Sequence, residues 1–322
     1  MRTVAFFLAL VFIMVSLSAA EGAETYLYGQ NSTVIGTIKT YTIEHENESL
    51  IELARKFDLG YNEIVDANPG LDPFVPGAGK TVILPISWII PDVQAYEGIV
   101  INTSELRLYY FFIQGGRRQV ATFPIGIGDE GTETPLGSFR IIEKITNPAW
   151  YVPASIRKEH PELPAVVPPG PHNPMGTHAL RLSIPSILIH GTNRPYAVGR
   201  KASHGCLRLY PEDIPKLFGM VAKDTPVTIV RQPVKIGVCK GKVYIELHSD
   251  NSINYDACFK MAIALLLKKH LLGLVNSVKL LNALHDMRGF PIEISQAAAE
   301  AGIPVKYHED SNKPHKNLYI SL

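Results

Sequence analysis

The sequence predicts a multidomain protein with a mostly-β domain in its middle, a small β-α-α-β unit before it and an α+β extension after it. Three observations lead to this fold class. The chain has 322 residues, which is more than a single hydrophobic core usually organises. Short alternating apolar segments fill its middle third, and most of the helical periodicity lies in the segments on either side.

Composition places the chain among globular proteins. Hydrophobic residues make up 46% of the chain and charged residues 19%, a balance that supports a packed core rather than disorder. The formal net charge at neutral pH is +1. Such a charge gives no electrostatic footprint for nucleic acid and no polybasic patch for a membrane surface. Nucleic-acid binding is therefore disfavoured.

The first twenty residues have the features of a cleavable secretory signal. Arg2 precedes an apolar run over 4–17, and small residues follow at 18–20. The run is short for a membrane span and its flanks fit a cleavage site; an uncleaved membrane anchor is the alternative. No cysteine lies near the cleavage region, which argues against a lipoprotein anchor there. Residues 1–20 are therefore predicted to be a signal peptide removed on export.

Residues 39–85 predict a small self-contained unit. Tyr41–Ile43 is strand-like, and Ser49 is placed to cap a first helix. A second helix is expected to stop at the Asn-Pro-Gly turn at 68–70, after which Val82–Leu84 returns as a strand. Strand, helix, helix and strand within about 45 residues form a compact module.

This order of elements resembles a LysM domain, a family that binds N-acetylglucosamine-containing glycans such as peptidoglycan. The resemblance covers the whole unit, although Asn47-Glu48 replaces the usual Gly-Asp before the first helix. It implies glycan contacts in the loops near 46–49 and 67–71. A purely structural unit is the alternative.

Residues 97–231 are predicted to form the mostly-β domain. The segment 99–112 alternates on either side of a polar turn at 102–105, as a hairpin does, and further strand-like segments follow. One helix is expected over 211–221, with its apolar side chains on one face. Residues 87–97, which include a proline, are interpreted as a linker from the preceding unit.

Residues 232–322 predict an α+β extension without a catalytic constellation. A hairpin turning at Lys240-Gly241 comes first, and apolar helices are expected over 255–272 and 275–287. The apolar run in the first of these helices is broken by Lys268-Lys269-His270. It is therefore predicted to be a core helix rather than a membrane span.

Three cysteines are too few for a disulfide scaffold, and their number is odd. Cys239 and Cys258 are predicted to pair and to close a loop of about twenty residues. Cys206 is then left as a single thiol in an oxidising compartment. A chemical role would explain its presence.

Residues 126–131 match the G-x-G-x-x-G pattern of dinucleotide-binding proteins. That motif works only where a helix begins, and Pro135 and Gly137 would interrupt such a helix. Asp129 and Glu130 would also place negative charge against a phosphate. We interpret the glycines as a turn within the β domain and expect no cofactor.

The strongest chemical signal is a histidine followed by a cysteine in glycine-rich surroundings. His190 ends a strand-like segment, and Ser203-His204-Gly205-Cys206 begins thirteen residues later. An imidazole can take the proton of a nearby thiol, and small residues let backbone N–H groups point at an oxyanion. A buried inert cysteine and a metal site made by His190, His204 and Cys206 are the alternatives. The polar residues around the thiol disfavour a buried inert cysteine. The lack of a carboxylate-rich partner motif disfavours a metal site.

The same residues resemble the signature of the L,D-transpeptidase catalytic domain of the YkuD type, and so do Thr134–Phe139 and Gly170–Gly176. The resemblance covers about 97–231 and implies a β-sandwich. The family often has Asn two residues after the cysteine, where this chain has Arg208. That departure leaves the role of this position open.

The resemblance also implies roles for the site residues. Cys206 would attack the carbonyl that links residues three and four of a peptidoglycan stem peptide, and His190 would pass the thiol proton to the leaving D-alanine. The Gly191 carbonyl would orient this base. Backbone N–H groups at Gly205 and Cys206 would hold the oxyanion, Ser203 and His204 would shape the site, and Arg208 would bind a stem-peptide carboxylate. No metal is implied.

The acceptor of the acyl group is left open by the sequence. A second stem peptide would give 3→3 cross-links, a lipoprotein lysine would attach a protein to the wall, and water would make the protein an L,D-carboxypeptidase. Arg194, Arg200 and Lys201 are expected to bind acceptor carboxylates. A non-catalytic LysM-type peptidoglycan-binding protein is the alternative of a different class. With the signal peptide, the arrangement is similar to periplasmic enzymes of Gram-negative bacteria, so we expect the periplasm as its location.

Overall fold

The computed structural model describes residues 24–29, 31–249 and 253–297. The predicted signal peptide at 1–20 lies outside these residues. Within them, no helix combines the length and the apolar character needed to cross a membrane.

The N-terminal module, residues 24–90, contains the predicted β-α-α-β order. Ser49 Oγ accepts the Glu52 N–H at 3.2 Å, and the Glu52 carboxylate accepts the Ser49 N–H, so the first helix begins with a capping box. The strands on either side of the helices pair antiparallel. The elements of the module are β1 (Thr25–Leu27), β2 (Val34–Gly36), β3 (Lys39–Thr42), α1 (Leu50–Lys56), α2 (Tyr61–Ala67), β4 (Thr81–Leu84) and β5 (Ser87–Ile89).

The interpretation of residues 87–97 as a linker is wrong for its first four residues, 87–90. Ser87–Ile89 is strand β5, and it pairs antiparallel with β2. Trp88, Ile89 and Ile90 are all buried. Burial of three large apolar side chains outweighs the single proline that follows, which ends the strand but does not release the segment from the core.

The central domain, residues 97–231, is mostly β, as predicted. The helix predicted over 211–221 is present, although shorter, and four short strands of the domain lie outside its main sheet. The elements are β6 (Gly98–Asn102), β7 (Arg107–Gln114), β8 (Arg117–Pro124), β9 (Ile127–Gly128), β10 (Gly137–Thr146), β11 (Trp150–Tyr151), α3 (Ala154–Glu159), β12 (Val166–Val167), β13 (His178–Leu182), β14 (Leu188–His190), β15 (Lys201–Ser203), β16 (Leu207–Arg208), α4 (Ile214–Met220) and β17 (Pro226–Val230).

One bent sheet builds this domain, in the strand order β1-β8-β7-β6-β17-β10-β13-β14-β16. The first part of β10 pairs with β17 and its second part with β13, and the register shifts between Ile141 and Glu143. An irregularity of this kind bends a strand. Phe123 from one part of the sheet and Leu180 from the other belong to the same buried core. The two layers of the predicted β-sandwich are therefore two parts of a single sheet.

Strands β6, β7 and β8 are covered on both faces. Because side chains alternate across a strand, Leu108 faces the core of the central domain, whereas Tyr109 and Phe111 lie in a second core together with Leu53 and Trp88 of the N-terminal module. The N-terminal module is thus an outer layer of the central sheet rather than a unit tethered to it.

A buried ion pair lies where the N-terminal module packs against the central sheet. The Arg107 guanidinium donates to both carboxylate oxygens of Glu63 at 2.8 Å, and Trp88 Nε1 donates to the same carboxylate at 2.9 Å. The Arg107 guanidinium also stacks on the Trp88 ring at 4.1 Å. Burial opposes the charge of Arg107, but the adjacent Glu63 carboxylate raises the pKa of Arg107, so the guanidinium stays protonated.

The C-terminal extension, described to residue 297, has its own apolar core. The predicted hairpin is confirmed, and its turn residues Lys240 and Gly241 have φ of 49° and 76°, as a type I′ turn requires. The two predicted helices are present but shorter than expected. The elements are β18 (Val234–Cys239), β19 (Lys242–Leu247), α5 (Tyr255–Lys268), α6 (Ser277–Asp286) and β20 (Ile292–Glu293).

A buried ionic cluster joins the extension to the central domain. The Lys235 ammonium lies 2.6 Å from Glu105 and 2.9 Å from Glu246, and His248 Nε2 lies 2.7 Å from Glu246. The ligand atoms of the two carboxylates and the imidazole lie within 4.8 Å of one another, a spacing compatible with a metal ion. The ammonium of Lys235, however, already lies between the carboxylates and offsets part of their charge.

The predicted disulfide between Cys239 and Cys258 is wrong. Both residues belong to the described part of the chain, and no disulfide joins them. Cys239 lies at the turn end of the hairpin, with its Sγ 3.9 Å from Ser32 Oγ, whereas Cys258 is buried in the core of the extension. Sequence separation suggested a loop of suitable length, but the two thiols lie in different environments.

We expect Glu63→Gln to destabilise the protein by about 3–5 kcal/mol, because it leaves the Arg107 charge buried without its partner. The free energy of unfolding in urea measures this effect. Arg55→Gln is the matched control, since the Arg55–Glu212 pair joins the same two parts of the chain but its side chains are 38% and 39% exposed, against 1% and 3% for Arg107 and Glu63. The control should lose no more than about 1 kcal/mol. Equal losses of unfolding free energy in the two variants would show that burial does not increase the cost of breaking the Glu63–Arg107 pair.

Candidate active site

Strand pairing brings the predicted thiol and base to one face of the sheet. Strands β14 and β16 are parallel, with Ile189 opposite Leu207 and His190 opposite Arg208. Ile189 and Leu207 are buried in the core, so the alternate residues Cys206, Arg208 and His190 share the opposite face. A strand spacing of about 4.8 Å and a two-residue rise of about 6.6 Å put the Cα atoms of Cys206 and His190 about 8 Å apart. An imidazole and a thiol can close such a gap.

The thiol of Cys206 lies between a backbone acceptor and a backbone donor. Its Sγ donates to the Ser186 carbonyl at 3.4 Å, a contact that requires the protonated thiol because a carbonyl only accepts. Burial raises the pKa of the Cys206 thiol, while the Leu188 backbone N–H and the Arg208 charge oppose this shift. Gly205, which precedes the cysteine, has φ of 98°, a conformation that favours glycine.

His190 is held with one ring nitrogen free for chemistry. Its Nδ1 lies 2.6 Å from the Gly191 carbonyl, and since a carbonyl only accepts, Nδ1 carries the proton and Nε2 is left with its lone pair. The predicted orienting role of the Gly191 carbonyl agrees with this contact. Burial, together with the Arg208 charge, lowers the pKa of His190 to about 4, against the opposing effect of the Gly191 and Met175 carbonyls.

These shifts act together on the resting state. Burial lowers the pKa of His190 and raises the pKa of Cys206, so both residues favour their neutral forms near pH 7. These directions, together with the contact from the thiol to the Ser186 carbonyl, favour a neutral thiol and a neutral imidazole over a preformed thiolate–imidazolium pair. The sequence suggested that the imidazole takes the thiol proton, but burial of both groups cannot be read from the motif.

Arg208 supplies a positive charge to the same face. One guanidinium nitrogen donates to the Ala202 carbonyl at 2.9 Å, while its buried Nε has no hydrogen-bond partner among the described residues. Burial, with the nearby charge of Arg194, lowers the pKa of Arg208. A group with an unused buried donor and an excess of positive charge around it is suited to bind an anion.

The carbonyl oxygens next to the thiol are already bound. Ser203 Oγ donates to the Cys206 carbonyl at 2.6 Å, and Thr134 Oγ1 donates to the Gly205 carbonyl at 2.9 Å. In the described part of the chain, the backbone N–H groups of Gly205 and Cys206 show no hydrogen bond of their own. The loop thus directs its carbonyls into the protein and leaves two donors beside the thiol, as an oxyanion hole needs.

His204 does not join the other site residues. Its side chain is 53% exposed, and its Nε2 lies 4.0 Å from Glu159 on α3. This contact links the cysteine loop, residues 203–206, to the segment between β10 and β13. It agrees with a shaping rather than a proton-transferring role for His204.

Two residues near His190, Asn173 and Met175, received no role from the sequence. Asn173 is buried; its amide donates to the carbonyls of Pro148, Val167 and Pro168, and its oxygen accepts the Met175 N–H at 2.8 Å. The Met175 carbonyl in turn favours the protonated form of His190. Both residues lie in the Gly170–Gly176 motif, which was the only signal of their importance.

The glycine-rich segment 126–131 forms a strand and a turn, as predicted. Ile127–Gly128 is β9, which pairs parallel with β15, and the Thr132 N–H closes a turn on the Asp129 carbonyl at 3.0 Å. No helix begins there. The segment supports the cysteine loop instead, because the Asp129 N–H donates to the Ser203 carbonyl at 2.9 Å.

The connecting segment, residues 191–202, joins the two halves of the site and carries the cations expected to bind an acceptor. Arg194 and Lys201 are exposed, whereas Arg200 is half-buried and stacks on the Tyr61 ring of the N-terminal module at 3.5 Å. Only the first two are therefore open to an acceptor carboxylate.

This chain is similar to one family model and to several known proteins. Residues 97–229 match the YkuD family, described as the L,D-transpeptidase catalytic domain. The probable L,D-transpeptidase YcfS of Escherichia coli is 39% identical over 252 residues, which are 75% of this chain and 78% of that protein. The probable L,D-transpeptidase ErfK/SrfK of E. coli is 34% identical over 303 residues, 90% of this chain and 96% of that protein. The solved L,D-transpeptidase of Mycobacterium smegmatis is 18% identical over 47% of this chain and 63% of its own, with a TM-score of 0.34.

We expect alkylation of Cys206 by iodoacetamide to be slow at neutral pH. Because its pKa is raised, the thiolate fraction should increase about tenfold per pH unit between about pH 7 and 8.5, the ordinary pKa of a free cysteine. Peptide mass spectrometry at Cys206 separates this reaction from those of the other two thiols. A rate that is already constant between about pH 6 and 8 would instead reveal a preformed thiolate–imidazolium pair.

Proposed function

The chain belongs to the L,D-transpeptidase family, and on this premise we propose that it acts on peptidoglycan stem peptides through a thioester on Cys206. The arrangement that carries the proposal is the shared sheet face of Cys206, His190 and Arg208, opposite a buried core face. It supplies a nucleophile, a base and an anion-binding group within one strand pair.

The donor reaction proceeds from the neutral pair. As Cys206 Sγ attacks the carbonyl between residues three and four of the stem, its proton moves to Nε2 of His190. The C–N bond then breaks, the proton passes to the nitrogen of the leaving D-alanine, and the stem remains attached as a thioester. The hydrogen bond from Nδ1 to the Gly191 carbonyl stabilises the imidazolium that forms transiently.

The tetrahedral intermediate carries a negative oxygen that needs donors already in place. The backbone N–H groups of Gly205 and Cys206 are placed for this, since Thr134 and Ser203 bind the carbonyls of the same residues. Removal of one such donor typically costs about 10²–10³-fold in rate. Thr134 and Ser203 are thus proposed to hold the oxyanion hole in shape.

Arg208 links donor binding to the strength of the base. Its charge contributes to the lowered pKa of His190. A stem-peptide carboxylate bound to Arg208 would offset this charge, so the pKa of His190 would rise when the donor is present. The base would then be strongest in the complex, where the proton must be moved.

The second half-reaction transfers the stem to an amine. A stem-peptide amine gives a 3→3 cross-link, and a lysine of a wall-anchored lipoprotein would attach that protein to the wall. In either case the amine attacks the thioester carbonyl and loses a proton to His190. The C–S bond then breaks, and His190 returns the proton to the Cys206 sulfur. Exposed Arg194 and Lys201 are proposed to hold acceptor carboxylates, which favours a bound amine over water.

We further propose that the protein is exported to the periplasm by residues 1–20 and that residues 39–85 form a LysM-like glycan-binding unit. The antiparallel pair β3–β4 with two helices between supports the second proposal. Asn68, near one expected glycan loop, is buried, and its side chain bonds to the backbone of Ile64 and Ile83. Glycan contacts in that loop would therefore come from the residues after it.

We expect Cys206→Ala to abolish turnover of a disaccharide-tetrapeptide while the fold is retained. His190→Ala should lower the rate about 10²–10⁴-fold, the usual cost of losing a general base, and His204→Ala, the matched control, should cost far less. Mass spectrometry of the muropeptide products measures all three. The expected products of the wild type are 3→3 dimers with loss of one D-alanine.

Two results would contradict these assignments. Turnover by Cys206→Ala would show that Cys206 is not the nucleophile. A greater loss of rate in His204→Ala than in His190→Ala would show that His204 is the general base. Tripeptide as the sole product at every amine concentration would make the protein an L,D-carboxypeptidase, the alternative in which water is the acceptor.

A further inference from the structure

The connecting segment crosses the N-terminal module at two glycines. Gly199 has φ of 77°, and a Cβ atom placed on it would lie 2.1 Å from the Tyr61 nitrogen and 2.4 Å from the Gly60 Cα. No side chain fits at such distances, so the two backbones touch directly. The contact lies within the stretch of chain that separates His190 from Cys206.

Hydrogen bonds and a ring contact extend this crossing. The N–H groups of Tyr61 and Asn62 donate to the carbonyls of Val198 and Gly199 at 3.3 and 3.2 Å. The Arg200 guanidinium lies 3.5 Å from the centre of the Tyr61 ring, within the range of a cation–π contact. The module therefore binds both the backbone and a side chain of the connecting segment.

A short series of hydrogen bonds links the connecting segment to the Cys206 loop. The Gly199 N–H donates to the Ile125 carbonyl and the Ile127 N–H donates to the Arg200 carbonyl, both at 3.1 Å. Strand β15 continues along β9 to Ser203, whose hydroxyl donates to the Cys206 carbonyl at 2.6 Å. A displacement at Gly199 or Arg200 would thus reach the cysteine loop through backbone contacts alone.

A second set of contacts prevents the module from moving independently of the site. Tyr210, which follows the strand of Cys206, donates its hydroxyl to the Leu59 carbonyl at 3.0 Å. Glu63 accepts the Gly60 N–H at 2.5 Å and pairs with Arg107 of the central sheet. The first turn of α2 is thereby fixed to the sheet and to the connecting segment at once.

We propose that Tyr61 is a positioning residue for the acyl-transfer reaction, and that through it the N-terminal module holds the connecting segment and the Cys206 loop in their reactive placement. This inference rests on the proposed function. It assigns the module a part in the chemistry that is separate from glycan binding. A displacement of about 1 Å at a reacting group can cost about 10²-fold in rate, so loss of the Tyr61–Arg200 contact should be visible in the chemical step.

The test compares the rate at which a carbapenem acylates Cys206, followed by intact-protein mass, with the thermal unfolding midpoint. Tyr61→Leu should slow acylation about 10- to 100-fold at a temperature well below unfolding, and Arg200→Gln should slow it similarly. The double variant should be no slower than the slower single variant, because both changes remove one contact. Tyr61→Phe, which keeps the ring, should restore the rate, and Gly219→Ala, at an open helical position, is the control.

The outcomes separate this inference from the proposed function. Acylation of Tyr61→Leu at the wild-type rate overturns the positioning role of Tyr61, even if the unfolding midpoint of this variant is lower. Slowing in Arg200→Gln but not in Tyr61→Leu also overturns it and assigns Arg200 to the substrate. A wild-type protein that is neither acylated nor active on a tetrapeptide overturns the proposed function and this inference with it.

Discussion

The buried ion pair between Glu63 and Arg107 is the contact on which the arrangement of the molecule depends. Neither charge can lose its partner inside the protein without a large cost, so the first turn of α2 has one position on the central sheet. That position sets Gly60 against Gly199 and thereby directs the connecting segment. Any ligand of the N-terminal module would consequently be held at a fixed place relative to Cys206.

Burial also determines the chemistry of the site. A thiol and an imidazole that share a desolvated face favour their neutral forms, and the hydrogen bond from Cys206 to the Ser186 carbonyl is made by a protonated thiol. In the proposed mechanism, a donor carboxylate bound to Arg208 would offset the charge that lowers the pKa of His190. Substrate recognition would then be connected to activation of the proposed base.

The sequence predicted elements that local signals determine. The Ser49 cap, the Lys240-Gly241 turn and the alternation around β14 all reappear in the structure, because capping, turn type and side-chain alternation depend on neighbouring residues. Packing between distant segments was not predictable in this way. Trp88 was assigned to a linker, although its partners lie in another part of the chain. Thr134 and Asn173 were noticed within motifs, yet their roles come from contacts with residues far away in sequence.

The most direct test of a thioester on Cys206 is rapid-quench mass spectrometry of the wild-type protein with a disaccharide-tetrapeptide donor. We expect a transient adduct equal to the donor mass less one D-alanine, located on the peptide that contains Cys206 and discharged when an amine is added. Turnover without an adduct, or an adduct on any other residue, would contradict the thioester route.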